Sequence, residues 1–64
     1  MSDGLGDVIV EAIRNGTYLK VTAVHVATGL EATAVGPAHE PRAVERLAVA
    51  KLGAAVRRGR AAGG

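Results

Sequence analysis

The segment from Thr17 to His25 constrains the fold most, because it is rich in β-branched residues and lies between two turn signals. Asn15-Gly16 precedes it, and Ala27-Thr28-Gly29 follows it. The segment contains neither glycine nor proline. We therefore predict that it is the central strand of a small antiparallel sheet, with one strand paired on each side of it.

Asn15-Gly16 predicts the first hairpin, with these two residues at the centre of a type I′ turn. Both central positions of this turn need positive φ, which asparagine and glycine adopt more readily than other residues. With these two residues as the turn, Ala12 faces Leu19 and Glu11 forms an attractive pair with Lys20. This register gathers apolar side chains on one face of the hairpin: Val8, Val10, Ala12, Leu19, Val21 and Ala23.

The second hairpin is predicted to have the four-residue loop Val26 to Gly29, a type I turn closed by Gly29 in the left-handed region. His25 then faces Leu30, so that Leu30, Ala32 and Ala34 join the same apolar face. The predicted strands cover about residues 7–14, 17–25 and 30–35.

A single helix is predicted over about residues 41–57, with Pro41 at its first position and Glu40 as the N-cap. We extend it through Gly53, although a glycine in a helix interior costs about 1 kcal/mol. Its apolar residues form two arcs on a helical wheel. The first contains Val44, Ala48, Leu52, Ala55 and Val56, and the second contains Ala43, Leu47, Ala50 and Ala54.

These elements define an α+β fold of βββα order, with a domain over 7–58 and disordered tails at 1–6 and 59–64. The chain has 64 residues, no Phe or Trp and one aromatic side chain, so a monomer has little to bury. We therefore expect a homodimer, side by side or with exchanged helices, whose interface lies on the helix. The expected interface residues are Val44, Leu47, Ala48, Ala50, Leu52 and Ala54.

Several motifs of the chain resemble a family of short uncharacterised bacterial proteins of unknown function. They are Lys20-Val-Thr-Ala-Val, Ala27-Thr-Gly, Val35-Gly-Pro-Ala, Glu45-Arg-Leu-Ala and Lys51-Leu, within residues 8–56. The chain has His25-Val26 where that family has Asp-Pro, and it lacks aromatic residues in the first strand. The resemblance implies the strand-strand-strand-helix pattern and no activity, cofactor or catalytic residue.

The residues that could carry chemistry do not form a catalytic or metal-binding pattern. His25 and His39 lack the spacing of metal ligands, the chain has no cysteine, and its carboxylates do not converge. We therefore expect no enzyme activity, metal or cofactor. The N-terminus does not resemble a signal peptide and no apolar run could span a membrane, so we expect a cytoplasmic location and no membrane partner.

The charges are unevenly distributed along the chain. Residues 1–40 contain two basic and five acidic side chains, whereas residues 41–64 contain six basic and one acidic. Two functions remain open on this basis. We favour a non-catalytic homodimeric interaction module, which could also bind an unknown protein, and the alternative is weak, sequence-indifferent nucleic-acid binding. The residues expected for that alternative are Arg42, Arg46, Arg57, Arg58 and Arg60.

Overall fold

A computed structural model describes residues 6–63, with side chains described for residues 6–59. The strands are β1 (Val8–Asn15), β2 (Tyr18–His25) and β3 (Glu31–Pro37), and the helix α1 spans Pro41–Gly63. The strands form one antiparallel sheet in the order β1-β2-β3. The predicted α+β fold, a three-stranded meander followed by one helix, is confirmed. The predicted N-terminal tail lies outside the described residues except for Gly6.

The turn of the first hairpin differs from the prediction. Gly16 and Thr17 form it, Asn15 pairs with Tyr18 at the end of the strands, and the register is shifted by two residues. Gly16 has a φ of 63°, and in the described chain only glycines have positive φ, so Thr17 does not. A positive φ at the first central residue alone is the pattern of a type II′ turn. A type II′ turn needs positive φ at only one residue, and glycine adopts positive φ without steric cost. The predicted type I′ turn would require positive φ at Asn15 as well.

The shifted register removes the predicted Glu11–Lys20 pair, because Glu11 faces Thr22 and Lys20 faces Ile13. The faces of the sheet are nevertheless as predicted. Side chains alternate between the faces with a period of two, so a shift by two residues changes partners without moving any side chain to the other face.

The second hairpin agrees with its prediction. The His25 N–H donates to the Leu30 carbonyl at 2.8 Å, and the Gly29 N–H donates to the His25 carbonyl at 2.7 Å. Gly29 has a φ of 76°, as a left-handed residue closing this loop should have.

The helix begins as predicted but ends later. The Val44 N–H donates to the Glu40 carbonyl at 3.2 Å, which places Glu40 at the N-cap and Pro41 at the first helical position. The helix then continues through Gly53 to Gly63, so the predicted end near 57 is wrong and residues 59–63 of the predicted tail are helical. Arginine and alanine favour helix, and each residue added to an existing helix costs little.

The core lies between α1 and the inner face of the sheet, above β2 and β3. Alternate residues of β2 and the first apolar arc of the helix supply most of it, and every member except Leu19 is at most 4 % exposed. The buried apolar residues are Leu19, Val21, Ala23, Ala34, Val44, Ala48, Leu52 and Val56. Strand β1 contributes only the partly buried Val8.

Gly36 allows the helix to approach the sheet closely. A Cβ atom added at Gly36 would lie 2.7 Å from Val44 Cγ2. Valine has a single preferred rotamer in a helix, so this methyl group cannot easily move away.

We expect Gly36→Ala to lower the free energy of unfolding by about 1–3 kcal/mol, because the added methyl group overpacks the helix–sheet contact. The matched control is Gly59→Ala, whose Cβ would lie 3.9 Å from Leu30 Cδ1, an ordinary contact distance. That variant should gain up to about 1 kcal/mol, since alanine is the better helix former. Urea denaturation at one protein concentration measures both, and equal effects in the two variants would contradict the overpacking explanation.

Candidate interaction surfaces

The residues predicted for a dimer interface do not share one accessible surface. Val44, Ala48 and Leu52 pack against the sheet of their own chain and are at most 4 % exposed. Leu47 is 52 % exposed, Ala50 is exposed, and Ala54 is half-buried. The three buried residues could contact a second copy only if the two chains exchanged helices.

Most large apolar side chains that the described structure leaves exposed lie on the sheet and its loops. Leu47 is the helical one among them. The others are Ile9, Val10, Ile13, Tyr18, Val26, Leu30 and Val35. This surface is not predicted above, where only the inner apolar face of the strands is considered. The same alternation of side chains nevertheless places Ile9, Ile13, Tyr18 and Val35 together on the outer face.

The outer face has a polar middle row flanked by more apolar rows. Glu11, Thr22 and Thr33 form the middle row, and the two threonine hydroxyls lie 3.3 Å apart. In the row nearer the first turn, Lys20 lies between Ile13 and Val35. The following row places Tyr18 beside Pro37, so the apolar part of this face is concentrated near the first turn.

The two edges of the sheet differ. On the β3 edge, the ammonium group of Lys51 donates a hydrogen bond to the Thr33 carbonyl at 2.5 Å. On the β1 edge, the pairing with β2 is continuous from Val8 to Asn15 without a bulge, and the strand contains neither proline nor lysine. Proteins block an edge with charged side chains, above all lysine, and with proline or bulges. Of these, β1 has only the charged side chains of Glu11 and Arg14. Within the described residues the β1 edge is therefore the more open one, and the β3 edge is partly blocked.

The arginines predicted to contact nucleic acid lie in two separate places. Arg42 and Arg46 are near the start of the helix and line a shallow depression with His39. A neighbouring depression is lined by Tyr18, Pro37 and the same His39. Arg57 and Arg58 are exposed further along the helix, and the side chain of Arg60 lies outside the described residues.

The two histidines lie at opposite ends of β2. His25 ends this strand, is 2 % exposed, and has its Nδ1 atom 2.8 Å from Thr28 Oγ1. His39 follows β3, and its Nε2 atom lies 3.5 Å from Glu40 Oε2 on the surface. The first and last Cα atoms of β2 are about 24 Å apart at ~3.4 Å per residue, so the two histidines cannot bind the same metal ion. Within residues 6–59 no three His, Cys, Asp or Glu side chains are grouped as metal ligands.

No helix in the part of the chain described by the structure is both long and apolar enough to cross a membrane. Comparison with known proteins gives one family match: the family described as "Domain of unknown function (DUF6898)" matches residues 5–59. Neither a curated protein nor a solved structure matches the chain.

We expect Thr28→Val to lower the free energy of unfolding by about 1–2 kcal/mol, because the threonine hydroxyl serves two groups of the second loop. It bonds the buried His25 ring and accepts the Leu30 N–H at 3.2 Å. Thr33→Val is the matched control, since its hydroxyl has only the Thr22 contact on the outer face and valine suits a strand. Urea denaturation should show a loss below about 0.5 kcal/mol for the control. A Thr28→Val variant as stable as the original chain would contradict this role of the hydroxyl.

Proposed function

Since the chain belongs to the family DUF6898, whose function is unknown, we propose a function from its own surface. It is a non-catalytic interaction module that associates with a second copy of itself. The observation that carries this proposal is the set of exposed apolar side chains on the sheet, away from the helix. An alternative with separate support is weak binding of nucleic acid.

The two-layer architecture supports self-association. One helix covers one face of the sheet, and nothing in the described chain covers the other face. On that outer face Ile9, Ile13, Tyr18 and Val35 are all between 54 % and 65 % exposed. Large apolar side chains clustered on one surface commonly mark a site of protein–protein contact.

The charge distribution supports a second copy as the partner. Residues 1–40 contain five of the six acidic side chains, and residues 41–64 contain six of the eight basic ones. Each copy therefore offers surfaces of both signs, and opposite charges on two copies favour their association.

We place the proposed contact on the sheet and not on the helix. The helix offers Leu47 with the small side chains of Ala50 and Ala54, whereas the sheet offers several larger apolar side chains. Larger apolar side chains bury more surface and contribute more to association.

We expect sedimentation equilibrium at low micromolar concentration to show a dimer, also in 0.5 M salt, since apolar contacts are not screened by salt. Two matched variants place the same charge on an exposed apolar residue. Ile13→Glu should weaken the dimer at least about tenfold, whereas Leu47→Glu should leave it intact.

Circular dichroism of both variants serves as the control for folding. A wild-type chain that stays a folded monomer up to tens of micromolar would refute self-association. A dimer disrupted by Leu47→Glu and unaffected by Ile13→Glu would place the contact on the helix instead.

The alternative function is supported by the surface that contains Arg42 and Arg46. Arginine contacts phosphate groups, and an aromatic ring beside such arginines can stack on a base. Tyr18 and His39 lie in the adjoining depression, so rings and guanidinium groups are close together there. Glu40 and Glu45 lie on the same surface and reduce its attraction for phosphate.

Fluorescence anisotropy with a labelled single-stranded oligonucleotide tests the alternative. If the surface binds nucleic acid, the affinity should fall steeply between 50 and 200 mM salt, and Arg42→Gln with Arg46→Gln should weaken it. The matched control is the double variant Arg57→Gln with Arg58→Gln. It removes the same amount of positive charge from a later part of the helix. Equal losses in the two double variants would contradict a site at Arg42 and Arg46.

A further inference from the structure

We propose that β1 pairs antiparallel with β1 of a second copy about a two-fold axis at Ala12, which joins the two sheets into one of six strands. The inference rests on the proposed self-association and specifies the surface and the register by which it occurs. Three observations carry it: the open edge of β1, the exposed apolar side chains on both of its faces, and the positions of its charges.

The free backbone groups of β1 can be identified from its pairing with β2. Asn15 and Tyr18 close a two-residue turn, and the Val26 N–H donates to the Asp7 carbonyl at 3.1 Å in the same register. Residues of an antiparallel strand alternate between bonding their neighbour and pointing away from it. Odd-numbered residues of β1 therefore bond β2. The even-numbered residues direct their N–H and C=O groups outward, and they are Val8, Val10, Ala12 and Arg14.

The apolar side chains beside this edge are exposed to solvent. Ile9 and Ile13 are exposed on the outer face, and Val10 and Ala12 are exposed on the inner face because the helix lies above the other two strands. An added strand would therefore cover apolar surface on both faces while it satisfies the free backbone groups.

A second copy can pair with β1 in only a few registers. A two-fold axis between antiparallel strands is perpendicular to the sheet and keeps the inner faces of both copies on the same side. Inner-face residues then face inner-face residues. Two registers of this kind overlap nearly the whole strand, one centred on Glu11 and one centred on Ala12.

The charges select between these two registers. The register centred on Glu11 places the two Glu11 carboxylates directly opposite each other, which is unfavourable. In the register centred on Ala12, Glu11 of one copy lies opposite Ile13 of the other copy. That Ile13 in turn lies opposite Lys20 of its own chain. Two strand spacings of ~4.8 Å separate Glu11 from that Lys20, a distance that the glutamate and lysine side chains span together when they extend toward each other. The pairing centred on Ala12 is therefore complementary in charge.

Two proline variants test the pairing. Ala12→Pro removes an outward N–H of β1 without removing any bond to β2, and Thr33→Pro makes the same change at an outward N–H of β3, away from the exposed apolar side chains. We expect Ala12→Pro to raise the dimer dissociation constant at least about tenfold and Thr33→Pro to change it little. Circular dichroism of both variants is the control for folding.

A cysteine variant tests the register, since the chain contains no cysteine of its own. At the two-fold axis the Cα atoms of paired Ala12 residues would lie ~5.5 Å apart, within the range of a disulfide. Ala12→Cys should therefore form a cross-linked dimer under mild oxidation. Val10→Cys should not, because two Val10 residues would be offset by about 14 Å along the strands.

The outcomes separate this inference from the proposed function. A dimer that survives Ala12→Pro unchanged would overturn β1 pairing and leave self-association standing. Cross-linking of Val10→Cys to Ala12→Cys in a mixture of the two variants, with neither variant cross-linked to itself, would show the register centred on Glu11 and overturn the one centred on Ala12. A wild-type chain that sediments as a folded monomer would overturn both proposals.

Discussion

The width of one helix relative to the spacing of strands determines much of this structure. An α-helix with its side chains is about 10 Å across, and adjacent strands are ~4.8 Å apart, so one helix covers about two strands. In this chain α1 covers β2 and β3, and the small side chain at Gly36 lets it pack closely there. Within the described residues, strand β1 is then exposed on both faces from Ile9 onward. The exposed apolar side chains of β1 follow from this geometry.

The two edges of the sheet show how the chain treats unpaired backbone groups. The helix places Lys51 over the β3 edge, where its ammonium group binds the Thr33 carbonyl. Among the helical side chains that the structure describes, none is placed over β1 in this way, because β1 is the strand furthest from the helix. An open apolar edge exposes a protein to uncontrolled association unless the edge has a defined partner. Pairing with a second copy would supply that partner and would leave the two β3 edges, with their lysines, at the ends of the larger sheet.

The fold could be predicted because its main signals are independent of the exact register. The inner face depends on the alternation of side chains, which survives the two-residue shift at Gly16. The Gly29 loop and the N-cap at Glu40 are local signals that the structure confirms. The choice between turn types was missed, since Asn-Gly suits a type I′ turn but glycine alone suffices for type II′.

The candidate site was harder to predict than the fold. A helical wheel identifies two apolar arcs but does not say which residues of a small domain remain accessible after packing. Val44 and Leu52 proved to be core residues, while Leu47 remained exposed. The exposed face of a sheet also depends on how many strands the helix covers, which no local pattern encodes. Tertiary packing determines which side chains stay accessible. A function of the surface can therefore be predicted from sequence only when the packing is also predicted correctly.

The two functions considered for this chain are compatible in one arrangement. If β1 pairs with β1 about an axis perpendicular to the sheet, both helices lie on the same side of the joined sheet. Arg42 and Arg46 of both copies would then lie on one face of the dimer. A polyanion long enough to contact both copies would bind more tightly than to one copy, because the second contact would be intramolecular. Self-association would in that case create a larger basic surface than a single copy has. Nucleic-acid binding that depends on the dimer would thus be a consequence of the strand pairing and not a competing function.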